Sequence, residues 1–210
     1  MVVHWTQIAV AAALVVYTGA FVAILAAVKQ STGANPRGHA KGHWPAALLN
    51  GLASLLLLVT AIAYSLRAQS VDWLGRIVLL DHPAAQGLGV ASLALAGVCL
   101  IWGEVSLGGS FRVALPQSVQ PLVTRGVYRL TCNPLALSVD LLALGVLLLA
   151  PSWLALISLI ANGVAYEFKI RIEEAYLRDA HGAAYVAYCQ QTGRYLPRWL
   201  RHRHLTERER

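Results

Sequence analysis

Two stretches hold most of the side chains that could do chemistry. The first, Leu122–Asp140 (LVTRGVYRLTCNPLALSVD), sets Gly126 ahead of the aromatic–basic pair Tyr128 and Arg129, and Asn133-Pro134 then opens an almost wholly apolar run. Proline suits a first helical turn and its predecessor avoids the α region, so a polar, glycine-bearing loop enters a helix here. Such a loop at the mouth of a membrane hairpin is where a water-soluble cofactor could meet a lipid-side substrate; otherwise it only caps a helix. The second stretch is FKIRIEEAYLRDA, where Ile170, Glu173, Glu174 and Leu177 are spaced 3, 4 and 7 apart. On a helix this places both carboxylates beside an apolar stripe, either as binding groups or as a solvated, salt-bridged face.

Other ionisable groups are less telling. Asp140 is the one carboxylate deep inside an apolar run, where an ionisable side chain is costly and defaults to a functional reading. Counted from the turn at Pro151, it stands 11 residues back and Asn162 stands 11 forward, so the two fall at one depth of an antiparallel hairpin and could hydrogen-bond. A role in substrate or proton handling stays open beside that pairing. His39 and His43 have helical metal-pair spacing but lack a third ligand in a glycine-rich loop, so no metal is expected. Cys99, Cys132 and Cys189 form neither a disulfide framework nor a CxxC pair, and no histidine in sequence reach of Cys132 suggests a thiolate nucleophile. Tyr185 and Tyr188 are expected to pack on the hairpin.

The elements that must position these groups are apolar helices. The chain is 57% hydrophobic and 13% charged, far from a soluble domain, and its apolar residues come in blocks. The expected fold is therefore all-α, a polytopic membrane protein with about five transmembrane helices and a C-terminal hairpin extending into the cytoplasm. Spans are expected at about Ile8–Val28, Ala46–Leu66 and Ala84–Trp102, then two shorter ones at Leu135–Ala150 and Trp153–Tyr166, separated by Pro151 and Ser152. Residues 1–102 form the N-terminal spans, residues 103–197 the loop, hairpin and cytoplasmic helix, and residues 198–210 a basic tail. Tryptophans 5, 44, 73, 102 and 153 fall near span ends, as interfacial rings prefer.

Charge sets the orientation. Nine of the 17 basic residues lie between Lys169 and Arg210, which suits a tail near anionic headgroups better than a nucleic-acid reader, for which no motif is present. A cytoplasmic C-terminus gives fifteen lysines and arginines inside against Arg67 and Arg76 outside, with the N-terminus outside in the cell membrane. The apolar N-terminal block is too long for a signal-peptide core and reads as a retained span.

Gly126-Val127-Tyr128-Arg129, then Asn133-Pro134, then Arg171-Ile172 with Glu173-Glu174, Leu177, Gly182, Tyr185, Tyr188 and Pro197 resemble the isoprenylcysteine carboxyl methyltransferase family. That broad group includes phospholipid N-methyltransferase relatives. Leu107-Gly108 with Ser110-Phe111 matches the family's lead-in, and the likeness covers roughly residues 103–197. The resemblance implies an integral membrane methyltransferase that uses S-adenosylmethionine, held by the cytoplasmic loop and the helix after the last span. It implies cofactor contacts from Gly126, Val127, Tyr128, Asn133, Pro134, Leu135, Glu173, Glu174, Leu177 and Tyr185, with Arg129 and Asn133 acting in catalysis. Glutamates suit the cofactor's ribose hydroxyls or ammonium, and backbone N–H groups around Gly126 suit its carboxylate.

The family's arginine before His-Pro or Asn-Pro is replaced by Cys132, and its tyrosine by Ala136. A guanidinium holds a carboxylate in a planar fork and Cys132 cannot, so the acceptor is expected to be neutral, a thiol or a bulkier lipid rather than a prenylcysteine carboxylate. Arg125, Arg129 or Arg171 swinging in would reverse this. Methyl transfer from a sulfonium to an anion cancels opposite charges, so a dry site at the membrane edge favours it, and positioning supplies much of the rest. Two alternatives remain beside a methyltransferase of lipophilic or small acceptors (thiol, amine or carboxylate). One is a non-catalytic membrane protein keeping the fold; the other is an NADPH-dependent membrane reductase of the sterol type.

Overall fold

A computed structural model of the chain describes residues 4–32, 44–110, 119 and 121–195. The elements are α1 (Trp5–Thr32), α2 (Trp44–Leu66), a single-turn α3 (Ser70–Trp73), α4 (Pro83–Leu107), α5 (Pro134–Leu149), α6 (Trp153–His181) and α7 (Ala183–Gln191). Among the described residues there is no strand, only isolated bridges between Arg76 and Ser152 and between Thr131 and Gly193. Four helices (α1, α2, α4 and α6) are long and apolar enough to cross a membrane, and α5 is a shorter apolar helix. The protein is thus all-α and multi-pass.

Apolar content makes these helices, but residue size decides how they pack. Along α4 the buried positions include Ala85, Gly89, Ser92, Ala96, Cys99 and Gly103, whereas Leu88, Leu95, Val98, Ile101 and Val105 are exposed. Lipid is as apolar as leucine, so small residues mark the side where backbones approach. A Cβ on Gly145 would stand 2.5 Å from Leu93 Cδ2, which fixes α4 and α5 as an antiparallel pair in close contact. The Ser92 hydroxyl adds a 2.7 Å bond to the Leu141 carbonyl across that seam. Leu93, Ala96, Leu142, Val146 and Leu149 join Val10, Leu57 and Ala61 in the common core.

The α5–α6 hairpin turns at Pro151-Ser152, and the Ser152 hydroxyl caps α6 by accepting from the Ala155 N–H at 3.2 Å. The connection between α3 and α4 docks on this tip through Ile77 N–H to Pro151 O and Trp153 N–H to Gly75 O, at 2.9 and 2.8 Å. α6 continues unbroken to His181, so the expected helical exit beyond Tyr166 is present.

Two expectations change. Asp140 does not pair with Asn162: the Asn162 amide donates to Ala53 O at 3.0 Å and Ser158 O at 2.8 Å. The Asn162 face of α6 packs on α2 instead. The helix of the third span also runs beyond the expected end at Trp102, to Leu107, and Glu104 within it is only 4% exposed. His39, His43, Arg37, Lys41, Phe111, Arg112, Pro197 and residues 198–210, named from the sequence, lie outside the described residues.

Candidate active site

At the end where α4, α5 and α6 meet the 121–133 loop, a cavity of about 200 Å³ opens. Its walls come from Leu107 and Ser110, from Leu122, Tyr128, Cys132 and Asn133 of the loop, from Leu135 and Ala136 of α5, and from α6 and α7. α6 contributes Tyr166, Lys169, Ile170, Glu173, Glu174, Tyr176 and Leu177, and α7 contributes Tyr185 and Tyr188. The two stretches singled out by sequence, about 40 residues apart, thus line one space.

The loop is shaped by a tight turn at Gly126–Arg129. Gly126 has φ +61°, which only glycine adopts without strain, and a side chain there would run into the Ser106 hydroxyl of α4. That close approach buries Val127 and Tyr128 and turns Arg129 outward, where it is exposed and away from the cavity. Gly126, Val127 and Pro134 also stand behind the lining rather than in it. Tyr128, Asn133, Leu135, Glu173, Glu174, Leu177 and Tyr185 are in it. Sequence reasoning did not single out Lys169 or Tyr166. The signal for both was their position one turn before Glu173 and Ile170 on the same helix.

A C-terminal segment ties loop to helix. Cys132 N–H donates to Gly193 O at 2.9 Å, and the Thr131 hydroxyl and Asn133 amide both donate to Arg194 O, at 3.1 and 3.2 Å. The Arg194 guanidinium grips Glu174 in a fork, Nε to Oε1 at 2.7 Å and Nη2 to Oε2 at 3.2 Å. Its Nη1 reaches Glu167 Oε1 at 3.1 Å, and the Tyr195 hydroxyl donates to Glu167 Oε2 at 3.2 Å. Glu173, by contrast, has a 3.6 Å pair with Lys169. The adjacent glutamates therefore face different tasks: one closes the fold, the other stands in the cavity with a loosely held cation.

The tyrosine wall is packed, as expected for Tyr185 and Tyr188. The Tyr188 hydroxyl donates to Tyr128 O at 2.7 Å, and the Tyr185 and Tyr188 rings lie 6.2 Å apart, tilted by 48°. Burial pushes the Tyr128, Tyr185 and Tyr188 phenols well above their ordinary value, so they remain neutral donors. Burial likewise pushes the Cys132 thiol up to about 12. A thiolate nucleophile there is disfavoured at neutral pH. Arg125 is exposed, and Arg171 pairs with Glu167 at 2.8 Å, so neither supplies a guanidinium to the cavity.

Among the described residues no cluster of three or more His, Cys, Asp or Glu is arranged to hold a metal ion. The donor set instead fits a polar organic molecule carrying both charges: carboxylates and an ammonium for its ionic groups, an amide and phenols for hydroxyls, and aliphatic walls for the rest.

Comparison with known families follows the same outline. Residues 84–184 match the phospholipid methyltransferase family model, a span that begins in α4 and ends in α7. Among curated proteins none matches the chain. The matched segment, which builds most of the cavity, is thus similar to the phospholipid methyltransferase family, within the wider group of isoprenylcysteine carboxyl methyltransferase-like membrane methyltransferases.

Proposed function

We propose that this protein is an integral membrane methyltransferase that uses S-adenosylmethionine and acts on a lipophilic or small acceptor. The observation that carries the reading is one cavity lined jointly by the Tyr128–Asn133 loop and the Glu173-bearing face of α6, within the segment that matches the family. When bound, the cofactor supplies an electrophilic methyl group on a sulfonium. The chain's part is to bind, orient and exclude water. Glu173 and the tyrosine hydroxyls offer hydrogen bonds to the cofactor's polar groups. Leu107, Leu135, Ala136 and Ile170 keep the far side apolar, so water is displaced and charge-neutralising transfer is favoured. Asn133 holds the loop in register through Arg194 O, and Arg129 is left for headgroups or solvent.

Cys132 and Ala136 stand where the family's arginine and tyrosine are expected, and no arginine replaces them in the described lining. This supports a neutral or thiol acceptor, or a bulkier lipid, over a prenylcysteine carboxylate. The basic asymmetry of the sequence supports a cytoplasmic cavity, with the N-terminus outside and the protein in the cell membrane.

The test is calorimetry on the purified full chain with S-adenosylhomocysteine, followed by transfer of labelled methyl to prenylcysteine, thiol and amine acceptors. Binding with transfer to thiol or amine is the expected result. Binding without transfer to any acceptor would favour a protein that keeps the fold without the chemistry. Binding of NADPH in place of the adenosyl ligand would favour the reductase reading.

A further inference from the structure

The cavity wall formed by α6 presents one ammonium and one carboxylate a single turn apart. Lys169 Nζ and Glu173 Oε1 are 3.6 Å apart, well outside the ~2.7–2.9 Å of a charge-assisted hydrogen bond. Both side chains are about one-third exposed, at 32% and 38%. Each therefore has room for a better partner. The neighbouring acid does not: Glu174 is held by the two-point Arg194 fork.

The rest of the surroundings narrow the ligand. Tyr166 and Tyr128 line the same cavity, and the Lys169 ammonium lies 5.4 Å from the Tyr166 ring centre. Lys169 is the cation in the described lining; Arg125 and Arg129 are exposed, and Arg171 is engaged by Glu167. Gly126, which the resemblance suggests for the cofactor's carboxylate, packs against Ser106 and Trp102 instead. A ligand carrying an ammonium and a carboxylate on one carbon would replace one long intrahelical pair with two short charge-assisted bonds. A purely cationic or purely anionic ligand would gain one and leave the other group unpaired, at a desolvation cost.

We infer that Lys169 and Glu173 form a subsite for an α-amino-acid group, Lys169 taking the carboxylate and Glu173 the ammonium of S-adenosylmethionine and its demethylated product. Glu174 is the positioning member of the glutamate pair. The inference rests on the cofactor reading above and adds which residues hold its zwitterionic end.

The test is calorimetry on the full-length protein with three ligands. S-adenosylhomocysteine carries the whole amino-acid group, its decarboxylated analogue lacks only the carboxylate, and 5′-methylthioadenosine lacks the group entirely. The wild type is expected to bind the first about ten- to a hundredfold more tightly than the decarboxylated analogue, the equivalent of one lost charge-assisted hydrogen bond, and more tightly still than 5′-methylthioadenosine, which loses both. Lys169→Gln and Glu173→Gln should each weaken S-adenosylhomocysteine by a similar factor and leave 5′-methylthioadenosine unchanged. The decarboxylated analogue should lose nothing further in Lys169→Gln. Equal weakening of all ligands, or unchanged S-adenosylhomocysteine affinity in Lys169→Gln, overturns the subsite while leaving the cofactor reading intact. Equal affinity of the wild type for all three ligands overturns it without any variant, should Lys169→Gln fail to fold. A wild type that binds none of them overturns both.

Discussion

Arg194 is the residue whose removal should most plainly separate architecture from binding. Arg194→Gln breaks the fork to Glu174 (2.7 and 3.2 Å) and the 3.1 Å contact to Glu167, while leaving the Arg194 carbonyl that Thr131 and Asn133 use. A fully buried pair broken on one side costs ~3–5 kcal/mol, and an exposed pair ~0.2–1 kcal/mol. Arg194 is 37% exposed and Glu174 23%, so solvent screens part of the interaction. The two-point geometry keeps it above the surface value, and a coupling of about 1–2 kcal/mol is expected. In a chain of this length that lowers the melting temperature by about 2–8 °C. The assay is a double-mutant cycle with Glu174→Gln, read by thermal unfolding in detergent at low and high salt. Arg194→Lys should recover only part of the loss, because an ammonium cannot reproduce the fork. The variants should also weaken S-adenosylhomocysteine and 5′-methylthioadenosine together, since the loop rather than one ligand group is disturbed. A coupling below about 0.3 kcal/mol would mean the pair is ordinary surface charge, and the reasoning would fail.

Two further outcomes are expected. Gly145→Ala places a methyl 2.5 Å from Leu93 Cδ2 and 3.0 Å from Gly89 O, so overpacking should cost about 1–3 kcal/mol in thermal unfolding. Unchanged stability would show that α4 and α5 do not approach so closely. In a background lacking the native cysteines, Gln69→Cys should react with an impermeant thiol reagent only from outside the cell and Ala184→Cys only after permeabilisation. The reverse pattern would overturn the orientation argued from lysine and arginine.

The helices were legible because each apolar block is bounded by proline, tryptophan or charge, and block length against bilayer thickness settles the class. Their rotation was not legible from hydropathy, since a membrane helix is apolar on every side. Asn162 shows the consequence: equal depth with Asp140 suggested a pair, yet its amide turns to Ala53 of α2. Residue size carried part of the signal: Ala85, Gly89, Ser92, Ala96 and Gly103 of α4 are buried, with Leu93 and Leu100 among them. In the site, the loop glycine and the glutamate pair stood out, and both stretches reach the same cavity. Lys169 did not stand out because one lysine among many basic residues reads as a headgroup contact. The role of Arg194 was hidden more deeply. It acts on Glu174, 20 residues upstream, through a contact that only the folded chain makes.

Length arithmetic explains why the cavity forms at this end of the bundle. Between Trp153 and Glu173, α6 rises over 20 residues, about 30 Å at 1.5 Å per residue, so Glu173 stands near the far edge of the hydrocarbon. Its partner α5 has 16 residues, about 24 Å, and shares the turn at Pro151-Ser152 with it. The loop before Pro134 therefore dips below the level that α6 reaches, into a depth where unpaired backbone is not tolerated unless protein covers it. The coverage is visible. Thr131 is 3% exposed, Leu130 and Thr131 N–H groups donate to Val127 O at 2.9 and 3.2 Å, and Cys132 N–H donates to Gly193 O. A short α5 beside a long α6 thus leaves a recess at the membrane edge. Lys169 and Glu173 of α6 line it together with the apolar Leu135 and Ala136 of α5. A bundle of helices of equal length would leave no such recess.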